Sequence, residues 1–202
     1  MRVRVSPSAP KDIMKKRVFI VHGWYGHPNK NWFPWLKEEL EAKNFEVCVP
    51  ELPEPGKPRI NSWVKALAEA VGKPDETTYF VGHSMGCQTI ARYLEALGKN
   101  IKVGGAVFVA GFFKQLTNME PEEQPYVKHW LETPLDLDLA KNHLNKSIAL
   151  FSDDDPWVPL DNQVEYRDIL GSEIIIKHKL GHFSFKQAPD ILNAVLKLAG
   201  ES

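Results

Sequence analysis

No stretch of this 202-residue chain stays apolar for anything near the roughly eighteen residues that crossing a bilayer requires. Residues Met1 to Lys16 carry charge but lack the apolar centre of a secretory signal. They predict an irregular Ser/Pro-rich arm, residues 1–16, ahead of one domain over 17–202, with Met14 as an alternative start. Cysteine is scarce. Cys48 and Cys87 allow one bridge at most, and their apolar neighbours predict buried free thiols and a reducing, cytoplasmic setting. Neither cysteine has a histidine at zinc-like spacing, so no metal or organic cofactor is expected. Charge of one sign is also missing. Lys and Arg number 25 against 26 Asp and Glu, with no long run of either, which argues against nucleic acid or an anionic membrane as the main partner. There is no internal repeat, low-complexity tract or interdomain linker.

What is present is an alternation of short apolar runs and amphipathic segments. Strands are predicted at Arg17–Val21, Phe45–Val49, Thr78–Val81, Val103–Ala110, Ser147–Ser152 and Glu173–His178. Helices are predicted over Asn31–Ala42, Ile60–Val71, Gly86–Leu97, Asp161–Leu170 and Pro189–Leu198, the last opened by proline. Pro50 to Pro58 carries four prolines and reads as an extended loop. Gly111 to Lys146 is less periodic and predicts short helices and loops. Strands that alternate with helices argue an α/β fold, a mainly parallel sheet of about six strands with helices on both faces. Sites in such sheets lie beyond the C-terminal strand ends.

The most informative segment is Gly82-His83-Ser84-Met85-Gly86. It follows the apolar run Thr78 to Val81 and precedes a helical pattern, the setting of a nucleophile elbow. A sharp strand-to-helix reversal would expose the Ser84 hydroxyl and leave the Met85 N–H free for an oxyanion. An activated serine needs a base, and the base an orienting acid, in the chain order Ser, Asp or Glu, His. Asp153-Asp154-Asp155-Pro156-Trp157-Val158-Pro159 follows one predicted strand and Gly181-His182-Phe183 another, both at the edge where Ser84 belongs. Asp155 and His182 are the expected partners. Asp153 and Asp154 read as turn residues that cap backbone N–H groups. His178, the rival base, falls within its strand, and His27, His129 and His143 read as surface or hydrogen-bonded residues. His83 is expected to pack or hydrogen-bond locally. His22-Gly23-Trp24 ends the first strand on the same edge, so Trp24 is the expected second oxyanion donor. His22, Gly23 and Trp157 are expected at the substrate.

With these residues assembled, the chain resembles the alpha/beta-hydrolase superfamily, and within it the small serine hydrolases of the retinoblastoma-binding-protein-9 and YdeN type. Matching segments are Val21-His22-Gly23, Trp32-Phe33-Pro34-Trp35-Leu36, Leu52-Pro53-x-Pro55, Pro58-Arg59 with Trp63, Gly82 to Cys87, Asp154-Asp155-x-x-Val158-Pro159 and Gly181-His182-Phe183. The likeness runs from about Arg17 to Leu198. It implies a compact hydrolase without a large lid domain, a Ser84-Asp155-His182 triad, and esterase-like action on a small-molecule acyl substrate. Retinoblastoma-protein binding, credited to one relative, is not carried over, because no Leu-x-Cys-x-Glu segment occurs. The same machinery would serve a peptidase, thioesterase or acyltransferase. The competing class is a non-catalytic binding module on the same fold.

Overall fold

A computed structural model describes residues 15–201. The expected arm lies outside the described residues as far as Met14. Among the described residues six parallel strands form one sheet: β1 Arg17–Val21, β2 Glu46–Cys48, β3 Thr78–His83, β4 Gly105–Val109, β5 Ser147–Ser152 and β6 Glu173–Lys177, in the spatial order β2-β1-β3-β4-β5-β6. Strand order reverses between β1 and β3, and a crevice opens at such a switch point beyond the C-terminal strand ends. Among the described residues seven helices connect and flank the strands: α1 Phe33–Glu41, α2 Ile60–Val71, α3 Met85–Glu95, α4 Gln124–Glu132, α5 Leu137–Lys141, α6 Gln163–Asp168 and α7 Pro189–Ala199.

Because successive strand side chains point to opposite faces, the apolar strands feed two cores. Val18, Ile20, Val81, Val107, Val109, Ile148 and Leu150 meet α1 and α7 on one face. Phe19, Val21, Phe80, Ala106, Phe108, Ala149 and Phe151 meet α2, α3, α5 and α6 on the other. β3, β4 and β5 are buried along their whole length, which is why they lack polar alternation. β6, at the sheet edge, is only partly covered.

Several boundaries differ from expectation. The fourth strand begins at Gly105 rather than Val103, which makes only an isolated bridge to Leu144. There the Gly104 N–H turns to the carbonyl of Thr78. β2 is a three-residue edge strand. The helix expected from Asp161 starts as a 3-10 turn, Leu160–Asn162, before α6. Cys87 is buried as expected, but Cys48 is only half-buried, because it sits on that short edge strand.

The weakly periodic segment between β4 and β5, which carries α4 and α5, is held by polar anchors from outside it. Asn162, fully buried, accepts the N–H groups of Phe113 at 3.2 Å and Lys114 at 3.1 Å and donates to the Gln115 carbonyl at 2.9 Å. Farther on, the Arg92 guanidinium donates to the carbonyls of Trp130 at 2.8 Å, Thr133 at 2.9 Å and Pro134 at 3.1 Å. A cation at a helix C-terminus satisfies carbonyls that have no intrahelical partner. Arg92 thereby ties the end of α4 to the last turn of α3. No helix among the described residues is long and apolar enough to cross a membrane.

Candidate active site

β3 ends in a turn so tight that Ser84 adopts φ 53° and ψ −121°, a conformation L-residues seldom occupy. The neighbouring chain holds it there. Ser84 N donates to Val109 O on β4 at 2.8 Å, and α3 begins one residue later at Met85. The flanking glycines are required by space. A Cβ on Gly82 would lie 2.9 Å from Cys87 N, and one on Gly86 would lie 2.8 Å from His22 O. The Met85 amide, in the first turn of α3, has no intrahelical acceptor.

His182 lies in the loop from β6 to α7. Its Nδ1 is 2.8 Å from Asp155 Oδ2, with the two side chains 12% and 2% exposed. A carboxylate only accepts, so Nδ1 carries the hydrogen and Nε2 is left as the basic nitrogen. The second oxygen of Asp155 accepts the N–H groups of Trp157 at 2.9 Å and Val158 at 3.0 Å, which fixes the carboxylate on its turn. The Trp157 ring stands edge-on to His182, centroids 5.1 Å apart. The end of β5 also grips this loop. Ser152 Oγ accepts Leu180 N at 3.0 Å, Asp153 accepts Lys179 N at 3.0 Å, and Asp154 accepts Gly181 N at 2.8 Å. Those bonds, with the Ser152 hydroxyl on Asp154 and His178 on Asp153, draw both carboxyls below the usual range. Three consecutive aspartates thus serve one loop, and only Asp155 reaches the imidazole. His178 is exposed and pairs with Asp153 away from Ser84.

Ser84 and His182 line the same cavity of about 280 Å³, walled by Trp24, Tyr25, Met85, Phe112 and Trp157. Leu116, Met119, Glu120 and Glu123, from the segment before α4, close its other side. A second depression of about 250 Å³ touches Ser84, His182 and Trp157 from the side of Gly23 and Gly26. Ser84 Oγ makes no hydrogen bond to His182 here. Such contacts commonly tighten only when substrate is bound.

His22 departs from its expected place at the substrate. It is fully buried and lines neither cavity. Its Nε2 accepts Leu52 N at 3.2 Å, so its Nδ1 carries the hydrogen and donates to Gly23 O at 2.9 Å. Burial lowers its pKa and keeps the ring neutral. Gly26 N also donates to Gly23 O, at 3.0 Å. In a planar trans peptide the C=O and the following N–H point opposite ways. Holding the Gly23 carbonyl therefore turns the Trp24 N–H the other way, and that amide has no protein acceptor among the described residues. The Trp24 indole is fixed by Gly56 O at 3.2 Å and stacks on Tyr25. Gly23 itself abuts the turn, since a Cβ there would lie 2.9 Å from both His83 O and Ser84 Cβ.

The serine hydrolase family model matches residues 18–198, nearly the whole described chain. The chain belongs to the serine hydrolase family. This hydrolase is 37% identical to YdeN of Bacillus subtilis (strain 168) over 107 residues, 53% of this chain and 56% of that one. It is 25% identical to serine hydrolase RBBP9 of Rattus norvegicus over 175 residues, 86% of this chain and 85% of that one. The crystal structure of the ydeN gene product from B. subtilis superposes with a TM-score of 0.84 at 27% identity, covering 92% of this chain and 100% of that chain. The esterase RhEst1 from Rhodococcus sp. ECU1013 shares the fold alone, with a TM-score of 0.68 at 16% identity over 93% of this chain and 92% of that one. The open six-stranded parallel sheet of this hydrolase is that of the alpha/beta hydrolases, with no separate lid among the described residues.

Gly111 to Lys146 reads in the sequence as the segment that shapes the entrance, but its weak periodicity hides that Phe112, Leu116, Met119, Glu120 and Glu123 are the side chains that line the cavity. Phe112 follows β4 at the C-terminal edge, and that position was the one available signal for it.

Proposed function

We propose that this serine hydrolase cleaves small acyl esters through Ser84, His182 and Asp155. The observation that carries the reading is the His182–Asp155 hydrogen bond at 2.8 Å, with His182 lining the same cavity as Ser84. His182 Nε2 takes the Ser84 proton as Oγ attacks the ester carbonyl carbon. The amides of Met85 and Trp24 receive the resulting oxyanion, and Asp155 stabilises the imidazolium. Collapse breaks the bond to the leaving oxygen, which receives the proton from His182. Water, deprotonated by the same nitrogen, then attacks the acyl-enzyme and frees the acid and Ser84. No metal or redox step enters this sequence.

The cavity size supports a small substrate. About 280 Å³ lies just below the usual span of ligand pockets, about 300 to 1,000 Å³. Its wall of Trp24, Met85, Phe112 and Trp157 favours an apolar acyl group over a charged one. A fluorophosphonate probe is expected to label wild-type protein and not Ser84→Ala, and only wild type should turn over short p-nitrophenyl esters. Labelling that persists in Ser84→Ala refutes the assignment. Labelling without ester turnover moves the reading to amide or thioester substrates, which a parallel panel of aminoacyl amides and acyl thioesters separates.

A further inference from the structure

The loop that carries His182 is not held by its own conformational preferences. Lys179, Gly181 and Phe183 all have positive φ, at 58°, 52° and 53°, alternating with ordinary residues. Two of the three are not glycine, so the path is sparsely populated unless outside partners impose it. On the N-terminal side the partners come from β5, through Ser152, Asp153 and Asp154. On the C-terminal side two consecutive carbonyls are held from the opposite direction. His83 Nε2 is 2.9 Å from the carbonyl oxygen of His182, and Trp32 Nε1 donates to the carbonyl of Phe183 at 3.0 Å. Both donors are buried, His83 at 5% exposure and Trp32 at 0%. The rings of Trp32 and Phe33 stand edge-on against His83 and fix its plane.

His83 is also the residue directly before Ser84, with its backbone locked into the β3–α3 turn. Its hydrogen bond therefore links the backbone of the base to the backbone of the nucleophile without passing through substrate or solvent. We propose that His83 is a positioning residue, which sets the separation and tilt of the His182 imidazole relative to Ser84, with Trp32 holding the next carbonyl. The inference rests on the function proposed above, in which His182 is the base.

The residue type fits the task. A carbonyl only accepts, so His83 Nε2 must carry a hydrogen. Burial, reinforced by the neighbouring His182, holds the pKa of His83 down to about 3, so at neutral pH it is an uncharged donor. The two imidazole centroids are 4.8 Å apart. A cationic donor at that distance would oppose the imidazolium that His182 must become during acyl transfer. Asp155 and His83 are the titratable groups in contact with His182. Glu120 and Glu123 line the same cavity, and Lys30 lines the second depression that His182 also borders.

The test compares His83→Gln, which keeps an N–H near the place of Nε2, with His83→Leu, which fills the space without a donor, and with Trp32→Phe. Kinetics on a p-nitrophenyl ester are normalised to active sites counted with a fluorophosphonate, and amide hydrogen exchange is followed across residues 179–184. In His83→Leu, kcat should fall by about 10- to 100-fold with KM nearly unchanged, the scale expected when a catalytic group is displaced by a fraction of an ångström. The acid limb of its kcat/KM profile should move, and the loop amides should exchange faster. His83→Gln should recover most of kcat and the wild-type pH profile. Wild-type kcat in His83→Leu, or equal damage in Gln and Leu, overturns the proposal. If His83→Leu does not fold, Trp32→Phe decides, and wild-type kcat with wild-type exchange in that variant also overturns it. Absence of Ser84-dependent turnover in wild type would instead defeat the proposed function. The exchange measurement then still reports on the clamp, and an unchanged loop in both variants removes it.

Discussion

Gly23→Ala probes the contact between the Gly23–Trp24 loop and the β3–α3 turn. The added methyl would sit 2.9 Å from both His83 O and Ser84 Cβ and 3.5 Å from Met85 N. Ordinary van der Waals contact begins at 3.4 Å, so one side must retreat by about 0.5 Å. Neither can do so freely. His83 and Ser84 belong to a turn bonded to β4, and Gly23 belongs to a loop fixed through its carbonyl by His22 and Gly26. Overpacking a rigid site of this kind costs about 1–3 kcal/mol. For a chain of this size each kcal/mol lowers Tm by roughly 2–4 °C, so the midpoint should drop by about 2–12 °C. The displaced atoms are the proposed nucleophile and the peptide carrying one proposed oxyanion donor, and kcat should fall by about 10- to 100-fold. Scanning calorimetry and active-site-normalised ester hydrolysis measure both effects. Gly98→Ala, whose methyl would meet only Ile101 Cδ1 at 3.7 Å, serves as the control and should change neither. Wild-type Tm and kcat in Gly23→Ala would show that the contact does not constrain the site.

Asp155→Asn keeps the size of the side chain but removes the charge that faces the imidazolium, and kcat should fall by on the order of 10⁴-fold; a loss below about tenfold would remove Asp155 from its assigned role. The His83 pKa lies near 3 when folded, against the ordinary imidazole value of 6.5, so below pH 6.5 the unfolded chain binds the extra proton. Its contribution to stability is therefore complete above about pH 6.5 and is lost as pH falls toward 3, and urea midpoints at pH 7 and 4.5 should differ less in His83→Gln than in wild type. Burial pushes the Cys87 thiol up to about 12, so iodoacetamide at pH 8 should modify half-buried Cys48 slowly and Cys87 only after unfolding, as read by peptide mass. Modification of Cys87 in the folded protein would contradict its placement on the buried face of α3.

Local chemistry made the sheet legible. β1, β3, β4 and β5 are nearly continuous apolar runs because both faces are buried, and Ile60–Val71 carries a helical stripe closed by Gly72. Gly82-His83-Ser84-Met85-Gly86 marks the turn through the space its glycines must vacate. The segment from Gly111 to Lys146 resisted this treatment. Its order depends on Asn162 and Arg92, polar residues that bond to backbone groups far along the chain and leave no periodic trace.

The roles of individual polar side chains divide in the same way. Sequence order and strand ends nominated Ser84, His182 and the run Asp153 to Asp155 as candidates, because a parallel sheet brings all its C-terminal strand ends to one edge. Which aspartate meets the imidazole, the removal of His22 from the pocket to the support of the Gly23–Trp24 peptide, and the bond from His83 to the loop of His182 were decided by tertiary structure. Each is a hydrogen bond between groups distant in sequence or set by a local backbone angle. Such bonds depend on position to within a fraction of an ångström, and a pattern of residue types carries no information at that scale.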